Sequence, residues 1–252
     1  MTELKVAPRG GTFPELPTLQ LTLDAHQRRL IASASQVIVL TIAGAAPVLS
    51  IPLFILGIVD IHQAALFFIS PLAIITLILF LTRSVEATWA LRGMIAGLLA
   101  VTAYDAMRMP FVLAKIWPDF IPRLGGWVTG LGGDEYLVGY LWRYPGDGGG
   151  MGMVFFLGCA IVGIRKGTLL GKYVIALGIG YGIFVWSGLI ATVAFTDKGS
   201  TLLFPMSRTT LLLSLLGHLI YGFVLAYCYR RVIDRDRNDR QMPAGVAPEK
   251  SS

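Results

Sequence analysis

The sequence predicts an all-α fold, a polytopic transmembrane helix bundle of about six spans. Three observations predict it. Apolar residues make up 55% of the 252-residue chain against 14% charged, and the mean hydropathy is +0.68, above what a water-soluble core needs. The apolar residues gather into runs close to the roughly 20 residues that cross a 30 Å hydrocarbon layer as helix. Basic residues collect at alternate ends of those runs.

Taken in order, the runs are Ile31 to Val59, Ala64 to Thr82, Gly93 to Ala114, Gly148 to Ile164, Tyr173 to Phe195 and Thr209 to Tyr229. The first is the longest and contains Pro47 and Pro52, which membrane helices tolerate through a kink or tilt. It is too long for a signal h-region, and the basic pair before it lies far from Met1, so residues 1–30 read as a polar tail. Residues 31–231 form the six-span domain, and residues 232–252 a second charged tail. Segments such as "APRGGTFPELP" and "MPAGVAPEKSS" offer too little apolar surface to offset ordering entropy, so both tails are expected to be largely disordered.

Orientation follows from charge. One side collects Arg28, Arg29, Arg83, Arg92, Arg165, Lys166, Lys172, Arg230, Arg231, Arg235, Arg237 and Arg240, and the other only Lys115, Arg123, Arg143, Lys198 and Arg208. Both termini are therefore expected in the cytoplasm, with the chain in a cell (inner) membrane, and an even number of crossings agrees. The formal charge of +6 is explained by topology and anionic lipid. It calls for no nucleic-acid partner.

Between the third and fourth runs lies "DEYLVGYLWRYPGDGGGMGM", Asp134 to Met153. Its glycines lack the Gly-Lys-Ser/Thr ending of a phosphate loop and any βαβ context, so a nucleotide site is rejected. Asp134 to Ile164 exceeds one straight span. The expectation is an outer, interfacial half-helix, a break at Pro145-Gly146, and a fourth span capped by Asp147. Arg143 and Asp147 mark a candidate outer-side site, since broken elements can line binding sites in transporters.

The third run carries a second, stronger signal. Asp105 falls about halfway across, counted at 1.5 Å per residue, with Arg108 one turn further on the same face. An ionisable group at that depth costs at least ~2.5 kcal/mol on insertion scales and must find a partner. Tyr104 adjoins the pair, and the last span brings His218 and Tyr221 on one face. The expected polar centre is Asp105, Arg108, His218, Tyr221 and Tyr104, with His218 or Tyr221 partnering the ion pair. A self-neutralising structural pair and a hydrogen-bonded packing histidine are the plainer alternatives.

Cys159 and Cys228 have no CxxC neighbour, and His26, His62 and His218 are scattered. No metal site and no cofactor is expected. Glycine pairs four apart, Gly93/Gly97, Gly148/Gly152 and Gly178/Gly182, suit close helix contact inside the bundle. "GHLIYG" in the last span, with the glycine-rich entry to a middle span, is similar to multi-span bacterial inner-membrane proteins. That likeness covers about two spans and implies no activity.

Three functions fit these residues. The first is handling of a proton, ion or small solute through an intramembrane polar centre. The second is an accessory or scaffold subunit of a larger membrane complex, or a homo-oligomer, whose polar residues are structural. The third, ranked last, is an intramembrane enzyme acting on lipid, because no nucleophile-and-base arrangement or metal signature accompanies the acids.

Overall fold

The computed structural model describes residues 25–241, and among them all regular structure is helical. Helix α1 spans Ala25–Ile55 and includes both prolines. Next, α2 (Ile61–Ala64), a π-helical turn (Ala65–Ile69) and α3 (Ser70–Leu81) form one continuous rod. After α4 (Val85–Leu113) comes the short α5 (Ile121–Thr129). A second rod joins α6 (Tyr136–Leu141), a π-helical segment (Trp142–Gly149) and α7 (Gly150–Ile161). The chain ends with α8 (Leu169–Lys172), α9 (Val174–Ala194), α10 (Asp197–Leu202) and α11 (Arg208–Gln241). The assigned tail segments before residue 25 and after 241 lie outside the described residues, and α11 runs ten residues into the stretch assigned to the C-terminal tail.

Five helices, Ala32–Ile55, Ile61–Leu81, Val85–Leu113, Val174–Ala194 and Arg208–Arg235, are long and apolar enough to cross a membrane. Their outward faces are apolar too: Phe67 is 80% exposed and Phe184 72%. Aliphatic and aromatic belts of this extent mark an integral membrane protein, since a soluble surface would not carry them. Polar caps start several helices: Asp60 accepts from the Gln63 N–H at 2.9 Å and the Ser84 hydroxyl from that of Ala87 at 3.1 Å. Gly130 ends α5 in the left-handed region at φ 74°, where a side chain would be strained.

Small residues set the helix spacing. On α4 the buried positions Ala90, Gly93, Gly97, Val101, Tyr104, Asp105 and Arg108 recur every three or four residues and form one stripe. A Cβ at Gly93 would lie 2.5 Å from the Gly152 carbonyl, and one at Gly44 2.5 Å from that of Gly150. Gly97 opposes Gly148 in the same way, so α4 and α7 pack antiparallel, backbone against backbone. A second seam joins α9 to α11, where Gly178 meets Gly222 and Gly182 meets the His218 carbonyl. All three predicted glycine pairs are thus used inside the bundle.

One expectation needs correction. Residues 136–161 do not break at Pro145-Gly146: the helix continues and widens into the π segment, where the Gly150 N–H reaches the Pro145 carbonyl. Proline lacks an N–H and crowds the carbonyl four residues back, and i→i+5 bonding relieves that crowding without ending the helix. Asp147 is accordingly an interior residue and caps nothing. Helix α5 covers "IPRLGGWVT", a stretch outside the apolar runs of the sequence. Its glycines are packing surfaces: Gly125 abuts Glu135 and Gly139, and Leu124 is fully buried.

Candidate functional site

The buried stripe of α4 delivers Tyr104, Asp105 and Arg108 to the bundle interior, with Arg108 only 2% exposed. Arg108 Nε lies 3.4 Å from Asp105 Oδ1, close enough to pair but not aligned as a hydrogen bond. Its terminal nitrogens donate to Asp119 Oδ1 at 3.1 and 3.2 Å. Asp119, just before α5, also accepts from the Ile121 N–H at 3.2 Å and, through Oδ2, from the Tyr140 hydroxyl at 3.2 Å.

Arg143, from the π segment, joins the same cluster. Its Nη2 donates to Asp105 Oδ1 at 3.0 Å, and its guanidinium lies 4.6 Å from the Tyr104 ring centroid. The outer-side candidate and the polar centre are therefore one site. Two arginines and two aspartates, drawn from α4, the α4–α5 loop and the π segment, neutralise one another where unpaired charge would be costly.

The last helix plays a different part from the one expected. His218 Nδ1 donates to the Ser214 carbonyl at 2.7 Å, the carbonyl fixing the proton on that nitrogen. The His218 ring packs T-shaped on Tyr104 with centroids 5.3 Å apart. Tyr221 donates to the Gly148 carbonyl at 2.7 Å. Neither partners the Asp105–Arg108 pair. Gly217 lets the Tyr104 ring lie flush on α11, where a Cβ would clash with it.

Asp119 is the residue that reading the sequence missed. It stands in a loop, in "IWPDFIPR", so no span-based count includes it. No local signal in the sequence pointed to it, since Asp105 and Asp147 already matched Arg108 and Arg143 in number.

Beside this network lies a half-open cavity of about 770 Å³. Its polar end is formed by Tyr104, Arg108, Arg143, Asp147, His218 and Tyr221. Its remaining wall is mostly apolar and rich in aromatics, among them Phe120, Tyr181 and Phe204, with Ser187 and Thr192 as further polar positions. The mouth lies between α1 and α9, where Leu49, Phe184 and Gly188 line the cavity and are exposed on the lipid-facing belt. Asp147 Oδ1 is buried with no protein hydrogen-bond partner. A π segment that turns both Arg143 and Asp147 to one cavity is a device that recurs at functional sites.

Cys159 and Cys228 are both free thiols. Among the described residues no group of three or more His, Cys, Asp or Glu side chains is placed to hold a metal ion. No family model matches the chain, and no curated protein or solved structure matches it either.

Proposed function

We propose that this protein is a multi-pass inner-membrane protein that binds and handles a small solute or proton at the polar centre of its bundle. The observation that carries the reading is the cavity: charged and aromatic-polar side chains converge on one end of a chamber of about 770 Å³, within the range of small-molecule sites. Intramembrane ionisable groups that face such a chamber are functional candidates by default. The accessory-subunit reading draws less support, because the three glycine pairs are taken up by seams inside the bundle.

In this reading the chain crosses six times, the sixth crossing being the 136–161 rod, which runs antiparallel to α4 along the Gly93–Gly152 seam. Both termini then face the cytoplasm. Reporter fusions after Asp60, Asp134 and Asp197 are expected to read external, and fusions after Arg83, Lys166 and Arg240 internal. The opposite pattern, or an odd number of crossings, would discard this topology.

The functional reading is tested by closing the cavity mouth. Gly188 has open space where a side chain would project, so Gly188→Trp adds a ring there without forcing the fold. Native mass spectrometry of wild type and variant is expected to find a small molecule retained by the first and lost from the second. Identical small-molecule contents in the two proteins would favour an accessory role.

A further inference from the structure

We propose that the cavity is a site for lipophilic cations, amphipathic molecules that combine an apolar, aromatic-compatible body with one positive charge. The inference rests on the solute-binding reading and names its ligand class.

Charge balance comes first. The cluster holds three carboxylates, Asp105, Asp119 and Asp147, against two guanidinium groups, Arg108 and Arg143. Arg108 is committed to Asp119 and Asp105, and Arg143 to Asp105 at 3.0 Å. No ion pair to His218 occurs among the described residues. Three acids against two bases leave one acid over, and Asp147, which lines the cavity with Oδ1 unpartnered, is the one with no arginine ion pair among the described residues. A buried carboxylate without a counter-charge is costly in a membrane. A bound cation supplies that counter-charge, whereas an anion would add to the excess of acids over bases in the cluster.

The walls agree. Phe120, Tyr181, Phe184 and Phe204 line the chamber, and aromatic faces attract a desolvated cation through their quadrupoles. The mouth opens between α1 and α9 toward lipid, bordered by Leu49 at 56% and Phe184 at 72% exposure. A molecule that already partitions into the bilayer enters there without crossing water.

The test uses the full-length protein in nanodiscs, titrated calorimetrically with tetraphenylphosphonium and with its size-matched anion tetraphenylborate, after subtraction of empty nanodiscs. Wild type is expected to bind the phosphonium saturably and the borate not at all. Asp147→Asn is expected to weaken phosphonium binding about tenfold or more, the weight of one charge-assisted contact, while Asp147→Glu retains it and Gly188→Trp abolishes it. Should Asp147→Asn not fold, the preference of wild type between the two ions still decides. Saturable borate binding, or an Asp147→Asn protein that binds the phosphonium within about twofold of wild type, overturns the cation assignment. Absence of saturable phosphonium binding to wild type overturns it as well. None of these results touches the solute reading, which stands or falls separately with the small molecules retained by wild type and lost from Gly188→Trp.

Discussion

Replacing Asp105 by asparagine is expected to destabilise the folded bundle by about 3–5 kcal/mol, the usual penalty for leaving a buried charge without its partner. Asp105 Oδ1 receives Arg143 at 3.0 Å and Arg108 at 3.4 Å. The two arginines are not equally exposed to its loss. Arg108 keeps Asp119 at 3.1 Å, whereas Arg143 has no second ion pair among the described residues. The double variant Asp105→Asn with Arg143→Gln is therefore expected to recover most of the loss, and Asp105→Asn with Arg108→Gln much less, because Arg143 stays stranded and Asp119 becomes unpaired. Unfolding in detergent of the single and double variants, completed as two mutant cycles, measures the difference. Equal coupling in the two cycles, or simple additivity, would show that the Arg143–Asp105 contact does not organise the site.

The glycine seam between α4 and α7 is expected to tolerate even less. A Cβ at Gly97 would strike the Gly148 carbonyl, and the opposing Cβ at Gly148 would meet Val101 at 2.6 Å. The obstacle at Gly97 is backbone, which cannot rotate away. Overpacking a core commonly costs about 1–3 kcal/mol, and here relief requires two whole helices to separate, so Gly97→Val is expected to exceed about 3 kcal/mol or to prevent folding. Separation would also draw the π segment away from α4 and lengthen the Arg143–Asp105 contact, joining a packing change to the site. The control is Gly180→Ala on α9, where nothing lies within 4 Å of the added carbon. That change is expected to be neutral or to stabilise by about 0.5–1 kcal/mol, as replacing a helical glycine by alanine does. Thermal unfolding of the two variants separates the cases. A Gly97→Val protein as stable as wild type would show that the helices do not approach as closely as the seam requires.

The sequence by itself determined the solvent and the general architecture. A composition of 55% apolar residues cannot be buried in a chain this short, so lipid must cover it, and in lipid each backbone polar group must be satisfied within a helix. Periodicity likewise marked Asp105 and Arg108 as interior and paired, because depth and helical phase are both local properties of a run. Spacing of four marked the glycines as contact points, although not which pair meets which.

Tertiary structure decided the rest. Pro145 and Gly146 look like a break because their local preferences oppose an α-helix; packing against α1 and α4 instead holds the chain helical in a wider π turn, so a competition between local strain and close contact was settled by neighbours distant in sequence. That outcome turned Arg143 and Asp147 inward and merged two candidate sites into one. Asp119 entered the network from a loop because Arg108 sits at the end of α4 nearest it, and a long guanidinium reaches an acid that no helical register connects to it. His218 and Tyr221 went to the carbonyls of Ser214 and Gly148, while the Tyr104 ring packs on His218 and Gly217. Partners of a buried charge are chosen by distance across the bundle, and distance across the bundle is a property of the packed helices rather than of any one segment.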